Sequence, residues 1–113
     1  MDKTAAVDAL GALAHPIRLD AFRALVVAGH SGLTPGVLVD MLGITYAKLG
    51  FHLKDLLQAG LVSQEQIGRH MIYRAAFDRM DELLAFLTDN CCKGLPPGRT
   101  APAAHQADAA SCC

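Results

Sequence analysis

The sequence predicts a mainly α domain of the α+β class, with about five helices and one two-stranded β-hairpin. Apolar residues recur at helical spacing over most of the chain, and the pattern changes to strand-like alternation between Leu61 and Arg74. Trp is absent and aromatic residues make up 5% of the sequence, so aliphatic side chains must build the core. Such a core suits packed helices better than a sheet sandwich, and 113 residues suit one domain.

Two helices are predicted at the start of the chain. The first lies within residues 1–14, where Thr4 is a candidate N-cap. His15 and Pro16 interrupt it, and Pro16 begins the second helix because proline fits the first helical turn. The glycines of residues 29–32 end that helix. The apolar positions that share a face are Val7, Leu10, Leu13 and Ala14 in the first helix, and Ile17, Ala21, Phe22, Leu25 and Val26 in the second.

A pair of short helices joined by a tight turn is predicted for residues 34–60. A Thr-Pro pair begins the first helix, Gly43 stops it, and Thr45 can cap the second, which runs to Gln58. Two helices this close, with a glycine between them, match the helix-turn-helix signature, in which the second helix enters the major groove of DNA. The alternative interpretation is a small helical hairpin with no role in DNA binding.

A β-hairpin follows the helix pair. Residues 61–67 and 70–74 have the pattern of strands, and Gly68 and Arg69 form the turn between them. A two-stranded hairpin is marginal alone, so this one must lean on the neighbouring helices. A helix-turn-helix with such a hairpin beside it is a winged helix-turn-helix.

A last helix and a tail complete the predicted organisation. Asp78 is the expected N-cap, and the apolar stripe of this helix would reach Cys91 if the helix continued to a stop at Gly94. Residues 95–113 contain three of the five prolines and no apolar periodicity. We therefore predict a winged-helix DNA-binding domain over residues 1–94, and a flexible Pro/Ala-rich tail over residues 95–113 that ends in a Cys pair.

Charge and composition narrow the function. The net charge is −1, but between residues 45 and 74 four basic side chains stand against two acidic ones. There is no apolar stretch of transmembrane length, and the N-terminus has an acid where a signal peptide would be basic, so we expect a cytoplasmic protein without membrane contact. An enzyme is not predicted, because no catalytic constellation stands out and His15, His30 and His105 have no evident partners.

Three phrases of the sequence resemble the ArsR/SmtB family of winged-helix repressors: ALAHPIRLDAFRAL, LVDMLGITYAKLGFHLKDLLQAGLV and GRHMIYRA. The resemblance implies a homodimer paired through the first and last helices. Each subunit would present residues 45–58 to the major groove of double-stranded operator DNA, and the hairpin tip to the flanking minor groove or backbone. The candidate DNA-binding residues are Thr45, Ala47, Lys48, His52, Lys54, Arg69 and His70.

The predicted reading helix departs from the family pattern at two positions. Lys48 and Gly50 stand where Ser or Thr is usual, so two hydroxyls are missing. Lys48 can compensate through a phosphate contact, which supplies affinity but little sequence choice. His52 is expected either to reach a phosphate or to pack as a half-buried ring among the leucines of the helix. Phe51 is expected to pack against its neighbours rather than to stack on bases.

The cysteines form two adjacent pairs, Cys91-Cys92 and Cys112-Cys113. Such pairs are not spaced to staple a core, and the C-x-x-C spacing of structural zinc is absent. Thiolates without imidazole or carboxylate partners select soft, thiophilic ions. The phrase NCCKG resembles the cysteine pair of arsenic-sensing family members. The resemblance implies arsenite, As(III), as the inducer, with Sb(III) and methylated As(III) as alternatives and no organic cofactor.

The source of a third thiolate is open, because LPPGRT after the first pair contains no cysteine. Cys112 or Cys113 could return on the tail, since a coil of about twenty residues spans ~25 Å. Alternatively, Cys91 and Cys92 alone could bind a methylated arsenical. The predicted function is an As(III)-responsive transcriptional repressor. The alternatives are a thiol redox or persulfide-sensing repressor, and a thiol-rich metalloid-binding protein on a winged-helix scaffold.

Overall fold

Five α-helices and one antiparallel β-hairpin make up residues 1–91, the part of the chain that the computed structural model describes. In chain order the elements are α1 (Lys3–Leu13), α2 (Pro16–Ala28), α3 (Pro35–Leu42), α4 (Tyr46–Gln58), β1 (Val62–Ile67), β2 (His70–Ala75) and α5 (Phe77–Leu87), with one 3₁₀ turn (Gly29–Ser31) after α2. This arrangement confirms the predicted winged helix-turn-helix.

Local capping chemistry sets where the helix pair begins and ends. The hydroxyl of Thr34 accepts a hydrogen bond from the Val37 N–H at 3.4 Å, and the hydroxyl of Thr45 accepts one from the Lys48 N–H at 3.2 Å. Gly43 ends α3 in the left-handed conformation, with φ of 65°. The predicted caps of α3 and α4 are therefore confirmed.

Two other predicted caps are wrong. The Asp2 carboxylate, rather than Thr4, caps α1 and accepts from the Ala5 N–H at 2.7 Å. A carboxylate is favoured there because it also faces the positive end of the helix dipole. The last helix starts at Phe77, so Asp78 lies inside its first turn, and its N-cap Ala76 makes no side-chain hydrogen bond.

The core lies between the helices and the inner side of the hairpin. Its fully buried leucines come from α2, α3, α4 and the segment before β1: Leu25, Leu38, Leu49, Leu53, Leu56 and Leu61. The first helix contributes only alanines, Ala6, Ala9 and Ala12, and these small side chains allow a close helix approach. Val7 and Leu10, which share a face in the predicted first helix, lie on its exposed side.

The hairpin is anchored to the segment before α3. Its register pairs Val62 with Ala75 at the base and Ile67 with His70 at the tip. Leu33 forms an isolated β-bridge with Tyr73, because its N–H donates to the Tyr73 carbonyl at 2.9 Å and its carbonyl accepts from the Tyr73 N–H at 2.8 Å. The wing thus leans on the helical body, as the marginal stability of a lone hairpin requires.

The last helix is shorter than its apolar stripe suggests. It ends at Leu87, and Cys91 lies beyond it in a turn. The Thr88 hydroxyl donates to the Leu84 carbonyl at 2.8 Å, and Asn90 takes a positive φ of 60°, a conformation that Asn tolerates better than most residues. The predicted continuation of the helix to Cys91 is therefore wrong. Cys92, Gly94 and the tail with Cys112 and Cys113 lie outside the described residues.

Within residues 1–91, no helix has the length and apolar character needed to cross a membrane.

Candidate nucleic-acid interface

The second helix of the pair has one buried and one exposed side. Its buried side chains are Leu49, His52, Leu53 and Leu56. Its exposed side, which we call the α4 outer face, consists of Ala47, Lys48, Gly50, Phe51 and Lys54. The buried side fixes α4 to the core, and the α4 outer face is free to enter a groove. Tyr46, the first residue of α4, is also exposed.

The N-terminal end of α4 is suited to phosphate. Thr45 is exposed and caps the helix, whose first-turn N–H groups form the positive end of a 13-residue dipole. Lys48 lies in the first turn and adds a full positive charge on the exposed side. Together the helix end and the lysine can hold a DNA backbone in register, although such contacts carry no sequence information by themselves.

The hairpin tip forms a second exposed basic point. Gly68 has a φ of 60° and allows the two-residue turn, which leaves Arg69 and His70 exposed. Below the tip, Arg74 donates to the Glu65 carboxylate and to the His30 carbonyl, each at 2.7 Å. These bonds tie the two strands to each other and to the body of the domain.

His52 is not part of the exposed side. Its side chain is 5% exposed, and its ring lies 4.4 Å from the ring of His15 and 5.3 Å from that of Phe51, measured between centroids. Its Nδ1 atom is buried without a hydrogen-bond partner in the structure. Of the two alternatives predicted for His52, a phosphate contact or a packed ring, the structure therefore shows the packed ring. A phosphate contact would require the ring to leave the core.

His15 has a structural role that its isolation in the sequence did not suggest. Its Nδ1 atom accepts a hydrogen bond from the Ile17 N–H at 3.1 Å and so caps α2, while its ring packs on His52. The expectation that His15 has no partner is wrong. The sequence signal was its place directly before Pro16, where an N-cap residue is expected.

An ion pair between α2 and α4 was also missed by the sequence analysis. The Arg18 guanidinium donates to the Asp55 carboxylate and to the Ala12 carbonyl, each at 2.7 Å. The two residues are 37 positions apart, and no local sequence pattern links residues at that separation. The pair fixes α4 against α1 and α2, and it engages the carboxylate of α4, which would otherwise repel phosphate.

Burial lowers the pKa of His52 from its ordinary value of 6.5, and the charges of His15, Arg18 and Lys48 lower it further while Asp55 opposes the change. Because the folded-state pKa is depressed, the unfolded chain binds more protons as the solution is acidified. The free energy of unfolding should therefore be highest above about pH 6.5 and should fall as the pH decreases below that value. Urea unfolding at pH 7.5 and 5.5 measures this loss.

The matched variants for this prediction are His52→Leu and His70→Leu. The first removes the buried imidazole and should reduce the loss of stability between pH 7.5 and 5.5. The second removes an exposed imidazole at the hairpin tip and should keep the wild-type loss. A His52 variant with the full wild-type pH dependence would contradict the assignment.

The predicted cysteine site is only partly visible in the described residues. Cys91 is half-buried, and its N–H donates to the Thr88 carbonyl at 2.9 Å in the turn after α5. Within residues 1–91, no group of three or more His, Cys, Asp or Glu side chains is placed to hold a metal ion. The other three predicted ligands, Cys92, Cys112 and Cys113, lie outside this range.

Comparison with known proteins agrees with the fold. A family model described as a helix-turn-helix domain matches residues 13–65, which span α2 to most of β1. A search of curated proteins gives no significant match. An ArsR-like transcriptional regulator from Rhodococcus sp. RHA1 superposes with a TM-score of 0.66 at 23% identity, over 74% of this chain and 76% of that one.

Two further solved structures are closer in sequence. A possible transcriptional regulator for arsenical resistance is 28% identical, with a TM-score of 0.61 over 71% of this chain and 80% of that one. M. tuberculosis Rv0081 is 30% identical, with a TM-score of 0.59 over 72% of this chain and 79% of that one. The chain belongs to the ArsR/SmtB family. Members of this ArsR/SmtB family are winged-helix, DNA-binding transcriptional regulators and not enzymes.

Of the seven predicted DNA-binding residues, six are exposed in this fold and one is buried. Thr45, Ala47, Lys48 and Lys54 lie on the exposed side of α4, and Arg69 and His70 lie at the wing tip, while His52 is in the core. The winged helix-turn-helix fold of this family implies that the chain binds double-stranded DNA.

Proposed function

We propose that this ArsR/SmtB regulator is an As(III)-responsive repressor. It binds operator DNA as a homodimer, and it is released when trivalent arsenic or antimony binds its C-terminal cysteines. The observation that carries the proposal is the position of Cys91, which lies in the turn after α5, four residues beyond Leu87, and is joined in sequence to Cys92. The likeness to a possible regulator for arsenical resistance also supports it.

Apolar side chains exposed on α1 and α5 support the dimer. Val7 and Leu10 of α1, and Leu84 and Leu87 of α5, are each more than 40% exposed, and the two helices pack against each other within the subunit. Such a patch is costly in water and is covered when a second copy pairs with it. A dimer paired through α1 and α5 would present two copies of α4 to successive major grooves of one operator.

Binding of arsenic next to this dimer surface supplies a route to release. Soft thiolates at Cys91 and Cys92 would hold the metalloid, with Cys112 or Cys113 as the third ligand in the three-thiolate version. Because α5 already ends at Leu87, the bound metalloid would constrain the turn that follows the helix rather than unwind the helix itself. A shift of α5 would change the distance between the two reading helices. A coupling of about 1 to 3 kcal/mol would lower operator affinity 5- to 150-fold.

The experiment that tests the proposal measures operator binding with and without arsenite. Wild-type protein should bind DNA from its own upstream region and lose affinity 5- to 150-fold in arsenite. The Cys91→Ser/Cys92→Ser variant should bind the same DNA equally well and should no longer respond. A gel shift or a fluorescence anisotropy titration measures the operator affinity in both conditions. If arsenite still releases this variant from DNA, Cys91 and Cys92 are not the arsenic site.

Two controls separate the versions of the site. Cys112→Ser/Cys113→Ser should abolish the response to inorganic arsenite if the tail supplies the third thiolate. The response to a methylated trivalent arsenical, which needs two thiolates, should remain. Diamide, which oxidises thiols without binding as a metalloid does, should release DNA less effectively than arsenite. If diamide releases DNA as well as arsenite does, the redox alternative is favoured.

A further inference from the structure

The α4 outer face has an unusual chemical composition for a helix that enters DNA. Its N-terminal half exposes Ala47, the bare backbone of Gly50 and the ring of Phe51, which is 67% exposed. The sequence suggested that Phe51 packs against its neighbours, but its one close ring contact in the described structure is the edge of His52 at 5.3 Å. Two thirds of the Phe51 side chain therefore remains in water, where an apolar surface is costly.

Ala47 and Phe51 lie next to each other on this face. They are four positions apart in α4, so their side chains are neighbours on the helix surface. Between them, Gly50 has no atom within 4 Å of the place where a Cβ would be, so the helix backbone is accessible there. The three residues form a continuous apolar strip, about one helical turn long, along the part of α4 that enters the groove first.

The polar groups beside this strip are suited to phosphate. Lys48 lies about 100° around the helix from Ala47. When the strip faces the floor of the major groove, Lys48 therefore lies towards one wall of the groove. Lys54 lies about one turn beyond Phe51, towards the C-terminal end of α4. The Asp55 carboxylate, which could accept a hydrogen bond from cytosine, is held by Arg18 at 2.7 Å. The first two turns of α4 have no Arg, Asn or Gln to make bidentate contacts to guanine or adenine, and Lys48 is the one residue there of a type that can make such a contact to guanine.

In the major groove, the base feature that an apolar side chain recognises is the C5 methyl group of thymine. We infer that Ala47 and Phe51 make α4 a reader of thymine methyl groups, with the Phe51 ring against a thymine in each operator half-site. Lys48 and the capped helix end fix the register on the backbone, and the apolar strip selects the base. The inference rests on the proposed binding of operator DNA through α4, and it makes Phe51 a specificity-determining residue.

The test uses duplexes selected by the full-length protein from a randomised library. The best-bound duplex is then synthesised with thymine and with deoxyuridine, which pairs identically but lacks the methyl group. Wild-type protein should bind the deoxyuridine duplex about 10- to 20-fold more weakly. Each buried methyl group contributes about fourfold to the affinity, and one methyl group is buried in each of the two half-sites. Phe51→Ala should bind both duplexes with the same affinity, within about twofold.

The matched control is Tyr46→Ala, which removes another exposed aromatic ring of α4. Tyr46 lies at the edge of the exposed side, with its hydroxyl 3.4 Å from an ideal Cβ at Gly36 of α3, so this variant should keep the wild-type preference for thymine. Thermal unfolding of both variants should match the wild type, since both side chains are exposed.

Three outcomes would overturn the inference. Equal binding of thymine and deoxyuridine duplexes by the wild type would remove the methyl group as the recognised feature. A Phe51→Ala variant that keeps the thymine preference, or that changes only the dimer dissociation constant, would assign the ring to another role. Failure to enrich any sequence from the library would overturn sequence-specific DNA binding itself, and the inference with it.

Discussion

Replacing Gly32 by alanine should lower the free energy of unfolding by about 2 to 6 kcal/mol. Gly32 has φ of 68° and ψ of −174°, a region that only glycine occupies without strain, and this strain costs about 1 to 3 kcal/mol. A Cβ there would also lie 2.5 Å from the Tyr73 carbonyl oxygen and 2.7 Å from the Ile72 side chain. Relief of that overlap costs about 1 to 3 kcal/mol more.

The same overlap should loosen the wing, because Leu33 and Tyr73 pair through two hydrogen bonds directly beside Gly32. Denaturant unfolding measures the loss of stability, and amide hydrogen exchange at Tyr73 measures the loosening. The control is Gly11→Ala in α1, where nothing lies within 4 Å of the added Cβ and φ is not positive. That variant should gain up to about 1 kcal/mol of helix propensity. A Gly32→Ala protein as stable as wild type would show that the close approach is not maintained in solution.

Lys48→Ala should weaken operator binding by about 50-fold at ~0.1 M salt. The proposed homodimer would lose two phosphate contacts, and each contact contributes about 0.9 to the slope of log K against log [salt]. The slope should therefore fall by nearly 2, while the order of preference among different operator sequences stays the same, because a phosphate contact reads no base. The helix itself should not suffer, since alanine is a strong helix former.

Fluorescence anisotropy at several salt concentrations checks both the affinity and the slope. Lys3→Ala is the matched control, because it removes the same charge from an exposed lysine in the first turn of α1. It should leave both quantities near their wild-type values. An unchanged salt slope in Lys48→Ala would mean that Lys48 faces solvent in the complex.

The sequence predicted those parts of the fold that depend on near neighbours in the chain. Thr34 and Thr45 cap α3 and α4 as expected, Gly43 ends α3, and the hairpin turn lies at Gly68 and Arg69. Each of these features depends on bonds between residues a few positions apart, so residue identity and spacing were sufficient. The predicted N-caps of α1 and α5 were wrong because several nearby acids and hydroxyls can occupy the N-cap position. Local preference alone does not choose among them.

The site was predicted less completely than the fold. Ala47, Lys48 and Lys54 were predicted as DNA-binding residues, and all three lie on the exposed side of α4. The sequence left two alternatives for His52. It also predicted that Phe51 packs against its neighbours, whereas most of the Phe51 side chain is exposed in the structure. The difference arises because periodicity assigns a residue to one side of a helix but does not say which other element meets that side.

The sequence by itself determined the order of elements, the winged helix-turn-helix class, the exposed lysines of α4 and the adjacent cysteine pairs at the C-terminal end. Only the tertiary structure decided that His52 packs on His15, that Arg18 binds Asp55, and that Gly32 must be small to pass Tyr73. These contacts join residues that are distant in the chain. They depend on how the helices cross, and the crossing is fixed by the packing of the whole core rather than by any local pattern.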